Sequence, residues 1–181
     1  MTKSGAWDGR VGAPASDLPA LVWRITENGV LAGMLGATVV AVWFLAVDLV
    51  TTGVPFHTPS RLGRIIFAGQ APDAAAALDG AAIFAYTGLH GLLFLWAGTG
   101  LAWMFSQFER NPQVGLVLLL LFVTFEAILW GVGVTLVPAL AGFVGAWTIL
   151  VANVASATAM FLFLLGRHPQ AAARLRDAWL E

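Results

Sequence analysis

Five residues of this 181-residue chain carry groups able to do chemistry inside or beside apolar sequence: Asp48, His90, Glu126 and Asn153, one in each long apolar stretch, and His57 just after the first stretch. An Asp at bilayer depth is costly, by at least about 2.5 kcal/mol on insertion scales, so each such group needs a partner or a purpose. His titrates near neutrality, and desolvation raises carboxylates toward that range, which is what a proton relay requires.

Helix rise sets the relative depths of these groups. His90 lies nineteen positions before Glu109 and Glu126 seventeen after it, so across an inner hairpin the two differ in depth by only about 3 Å. Glu126 lies twelve positions before Pro138 and Asn153 fifteen after it, again a difference of a few ångströms. His90, Glu126 and Asn153 are therefore expected in one layer near the midplane. Asp48 falls roughly 9 Å nearer the outer surface, where it can face His57.

Two readings of this set compete. In one, Glu126 and His90 accept and donate a proton or hold a cation, with Asp48 and His57 leading outward. In the other, His90, Glu126 and Asn153 hydrogen-bond across helices and fix packing, at about 1 kcal/mol or less each, while Asp48, followed by Thr51 and Thr52, is solvated or capped. Ligand arithmetic disfavours metals. A di-iron bundle wants Glu-x-x-His pairs on two helices, and the sequence has none. A single cation on His90 and Glu126 with Asp48 or His57 has suitable ligand types but no tight spacing. A b-type haem lacks a second histidine at a suitable depth, since His168, between Arg167 and Pro169, reads as a headgroup contact. No cofactor is expected.

With zero cysteines, disulfides, thiolate metal sites and cysteine nucleophiles are excluded. Phosphate-binding lysine loops, dinucleotide fingerprints, His-Glu-x-x-His and Gly-x-Ser-x-Gly are missing as well. Nothing supports catalysis.

The elements that must position these groups are membrane spans. Hydrophobic residues make up 59% of the chain and charged residues 10%, against roughly a quarter charged in a soluble domain. The formal net charge of -1 gives no attraction to nucleic acid. Stretches 29–53, 80–105, 113–137 and 139–165 are each long enough to cross a hydrocarbon layer that needs about 20 helical residues. Pro138 and Asn111-Pro112 mark tight turns. The expected fold is an all-α integral membrane protein, an antiparallel bundle of four transmembrane helices with short interfacial amphipathic helices. Residues 1–28 and 166–181 flank it.

Lys3, Arg10, Arg24, Arg110, Arg167, Arg174 and Arg176 fall on one side, and only Arg61 and Arg64 on the other, which predicts cytoplasmic termini. Trp23, Trp103, Trp130 and Trp147 fall near the boundaries, as an aromatic belt would. No apolar run stands close enough to Met1 for a cleavable signal. Arg far outnumbers Lys amid abundant Ala and Gly, which suggests a bacterial inner membrane. Three flanking segments read as interfacial helices: Leu18, Leu21, Val22 and Ile25; SRLGRIIF, with Leu62, Ile65 and Ile66 opposite Arg61 and Arg64; and Pro169 to Glu181.

Small residues recur at helical spacing in Gly29, Gly33 and Ala37, and in Ala141, Gly145, Ala152 and Ser156. They allow helices to approach closely within the bundle or, as a second option, in a dimer. The function expected from the sequence is a non-enzymatic membrane protein, a structural or accessory subunit whose partners are the bilayer and a homo-oligomer or larger complex. A small proton-relay, transport or cation-binding protein is the alternative, and a redox or ligand-binding protein using the Trp-rich interior is a third.

Overall fold

The computed structural model describes residues 18–69, 77–111 and 145–178, with a discontinuous set between 113 and 131. Five helices are described in full, and the residues described between 113 and 131 are helical too.

Helix α1 runs from Leu18 to Thr51. Pro19 sits in its first turn, where a missing N–H costs nothing. The helix ends where Gly53 adopts a φ of 71° and its amide bonds to the Leu49 carbonyl at 3.2 Å. Its 34 residues span about 51 Å, more than the hydrocarbon layer. The expected interfacial segment around Leu21 is thus continuous with the first span. Arg24, Glu27 and Asn28 interrupt apolarity but not helicity, and no breaker separates the two.

Helix α2, His57–Ala68, is the expected amphipathic helix and closes at Gly69, whose φ is 60°. Its basic face is turned onto the protein, with Arg61 buried, while Ile66 and Phe67 are exposed. Helix α3 follows from Gly80 to Arg110, started by Asp79, whose carboxylate accepts from the amides of Ala81 at 2.9 Å and Ala82 at 3.1 Å. The connection expected at residues 106–112 is shorter than anticipated. Ser106 to Arg110 continue the helix, because polarity alone does not break a helix and the first strong barrier is Pro112. Helix α4, Ala146–Arg167, begins after Gly145 at a φ of 75°, and α5, Pro169–Ala178, is the expected tail helix.

Helix α1 lies at the centre, packed along both α3 and α4, which barely touch each other, while α2 rests mainly on α3. The α1–α3 seam is built from Gly29, Gly33 and Gly98: a Cβ at any of them would meet backbone atoms of the facing helix. This is the close approach expected of the first small-residue stripe. Gly36 faces Met160 of α4, and Ala152 and Ser156 are buried. Trp43 donates from its indole N–H to the Thr148 carbonyl at 3.1 Å and meets Trp147 edge-on. A core of Ala32, Leu101, Ala102, Phe105, Met160, Leu164 and Ala171 fills the end near α5.

Among the described residues, three helices are long and apolar enough to cross a membrane: α1, α3 and residues Trp147–Arg167 of α4. The chain is a multi-pass membrane protein. Its outward side chains fit that setting, since Phe84 is 82% and Trp96 68% exposed, an arrangement that water would penalise. The expected third span carries Glu126 and Trp130, both outside the described residues. Trp23, Trp103 and Trp147 are all exposed, on the outer surfaces of their helices.

Candidate functional site

Polar groups gather at three levels along the packed helices. At the α2 end, the chain must turn from α1 into α2 across Gly53, Val54, Pro55 and Phe56. Phe56 occupies the N-cap position of α2 with a φ of 61° and has no side-chain acceptor for the first amides. Asp48 of α1 fills that vacancy. Its carboxylate accepts from the Thr58 amide at 2.9 Å and from the Thr58 hydroxyl at 2.5 Å. The carboxylate is nearly inaccessible, Asp48 being 2% exposed, and a negative charge there also suits the positive end of the α2 dipole.

His57 and Arg61 are buried on the same end of α2, as are Thr58 and Ser60. The Ser60 hydroxyl accepts from the Asp79 amide at 3.0 Å. Arg64 bonds the Ala77 carbonyl and lies 3.7 Å from the Asp79 carboxylate. Asp48 thus reaches the turn that carries His57, and the polar groups around it fasten α1, α2 and the start of α3 to one another.

At the middle level, His90 is half-buried on α3, with Nε2 at 3.4 Å from the Ala37 carbonyl of α1. Its ring lies between Tyr86 and Phe94, with centroids at 6.0 and 4.7 Å. Asn153 is exposed on α4 beside exposed Val151 and Val154. His90 turns inward to α1, whereas Asn153 turns away from it, so the structure does not bring these two together. Glu126, the third member of the expected layer, lies outside the described residues. Among the described residues no three of His, Asp and Glu converge as metal ligands.

At the third level, α3 ends, α4 passes into α5 and α1 begins. Here Glu109 Oε2 lies 3.0 Å from His168 Nδ1, close in distance but off the line of a good hydrogen bond. His168 is buried, and Phe105 lies against its ring at 5.6 Å. A cavity of about 180 Å³ opens beside the pair, its polar lining made by Arg24, Asn28, Ser106, Glu109, Arg110, His168 and Gln170.

Comparison with known protein families, curated proteins and solved structures finds no match.

The sequence pointed to Asp48 and His57 but missed Thr58, Trp43 and the Glu109–His168 pair. Thr58 was hidden because its role depends on the N-cap being Phe56, which has no acceptor. Glu109 and His168 carried a usable signal, since each falls at the end of a span on the same side, the level comparison applied to the midplane residues.

Proposed function

We propose that the chain is a non-enzymatic, four-span membrane protein that serves as a structural or accessory subunit of a larger membrane assembly. The observation that carries this reading is the use made of Asp48: its buried carboxylate accepts two hydrogen bonds from Thr58 and caps a helix, which is an architectural role. Residues 113–137 supply the fourth span in this proposal. The end of α3 at Asn111, which is extended, supports a hairpin there, with Gly115 so close to Phe108 that a Cβ would strike its backbone. The exposed amide of Asn153 supports a further helix against α4, because an amide facing lipid alone is costly. The uneven distribution of Arg and Lys supports cytoplasmic termini, and the bacterial inner membrane remains the proposed location.

A second reading, a proton-relay or cation site on His90 and Glu126, draws support from His90, whose bond to Ala37 is long at 3.4 Å and leaves its ring free to take a better partner. Glu126→Gln separates the two. Melting of wild type and variant in detergent, across about pH 5 to 8 and with divalent cations, is expected to be alike under the architectural role. Stabilisation of the wild type by protons or a cation, lost in the variant, would overturn that role and favour the relay, since a ligand that binds only the folded state raises its stability.

A further inference from the structure

The cavity at the basic end of the bundle is used by none of the roles above. Three helix ends meet there: the first turns of α1, the last turn of α3 and the junction of α4 with α5. Two arginines, Arg24 and Arg110, contribute to its lining, and its one acidic residue, Glu109, lies 3.0 Å from His168. The remaining charge is positive. His168 is 6% exposed and contributes to the lining, and among the described residues its Nε2 has no hydrogen-bond partner. A buried polar nitrogen left without a partner carries a cost of about 1–3 kcal/mol that a bound group can remove, and with its proton on Nε2 the ring donates to an anion.

The helix termini add to this. Helix α5 starts at Pro169, and the Ala172 amide already bonds the His168 carbonyl. The first-turn amides of Gln170 and Ala171 belong to the set that a helix leaves without internal acceptors, at its positive end. Leu21 and Ile25 of α1 supply the apolar part of the lining. A planar fork of guanidinium donors, a helix start and a neutral amide from Gln170 suit a tetrahedral oxyanion, and about 180 Å³ is room for several waters at about 30 Å³ each or for one phosphate group.

We propose that this cavity binds a phosphate-bearing anion through Arg24, Arg110, His168 and Gln170. Its place at the ends of three membrane helices, with Leu21 and Ile25 in its lining, suits the phosphate of an anionic lipid headgroup. Free phosphate offers the same chemistry.

The test uses the full chain purified in a neutral detergent, with melting measured against phosphatidylglycerol, phosphatidylcholine or inorganic phosphate at constant ionic strength. A rise of several degrees with phosphatidylglycerol alone assigns the lipid, and an equal rise with inorganic phosphate assigns the free anion. Arg24→Gln and Arg110→Gln are each expected to raise the additive concentration needed for the same melting shift about tenfold, the loss of one charged hydrogen bond. Arg167→Gln is the control, because Arg167 sits at the same end but over Phe163, 5.4 Å from its ring, and outside the cavity lining. A wild type that responds to none of the additives, or an Arg167→Gln variant weakened as much as the other two, would overturn the proposal.

Discussion

Asp48 on α1 holds Thr58 on α2 by two hydrogen bonds, one from the backbone amide and one from the hydroxyl. A carboxylate ten residues upstream thus does the work usually given to the N-cap side chain itself. Asp48→Ala leaves both Thr58 donors buried without an acceptor and is expected to cost about 2–4 kcal/mol, from two unmet groups at about 1–3 each with partial relaxation. Asp48→Asn keeps one acceptor oxygen and is expected to lose about half as much. Melting gives the ranking, and hydrogen exchange at Thr58 and Ser60 gives the location. An Asp48→Ala variant as stable as wild type, with α2 amides still protected, would refute the cap.

Glycines on α3 divide into two kinds, and substitution should separate them. Gly98→Ala places a methyl against the Gly29 and Gly33 backbone, where overpacking costs about 1–3 kcal/mol. Gly91→Ala and Gly100→Ala meet nothing within 4 Å and are expected to be neutral or to gain about 0.5–1 kcal/mol from lower backbone entropy in the unfolded chain. Equal melting temperatures for the Gly98 and Gly91 variants would mean that the seam is not close-packed.

Much of this was legible in the sequence, for reasons that vary by residue. The spacing of Gly29 and Gly33 announces a close helix contact, because a stripe of small residues has few other uses in a membrane helix. The pattern SRLGRIIF announces α2 but not which way it faces. In lipid the apolar face turns outward, so Arg61 is buried and Phe67 exposed, the reverse of a soluble helix. Helix ends were less legible: α3 continues through Ser106 and Glu109 because polar residues mark the membrane boundary, not the helix boundary. Equal depth did not imply equal facing, since residue counts give height along a helix axis and say little about azimuth over fifteen residues. Asn153 and His90 show the difference.

Phe56 is the one described non-glycine residue with positive φ, at 61°, a conformation costing roughly 1–2 kcal/mol for an L-residue with a Cβ. The ring is half exposed and recovers little by packing. Phe56→Gly is therefore expected to raise stability by about 1 kcal/mol, and Phe56→Val, with its branched Cβ, to lower it. Thermal or denaturant unfolding of the two variants decides the matter, and destabilisation by glycine would show that the ring contributes more than the backbone loses.

Absence of native cysteine allows topology to be read from single engineered thiols. Ala68→Cys at the end of α2 and Gln170→Cys at the start of α5 are expected to be labelled from opposite sides of the membrane by an impermeant maleimide, with Ala68 outside and Gln170 inside. Labelling from one side only, or in the reverse sense, would contradict the orientation drawn from the basic residues.

The central position of α1 has a consequence for biogenesis. Because α3 and α4 meet chiefly through α1, their order of attachment follows their order of synthesis. A nascent chain that has just exposed Arg110 to the ribosome exit already contains both sides of the glycine seam, whereas Trp43 must wait for Thr148 before it can close its hydrogen bond. A half-made protein therefore holds one finished helical interface and one unfilled flank on the same helix. That flank is filled only once translation passes residue 160, when Met160 reaches Gly36.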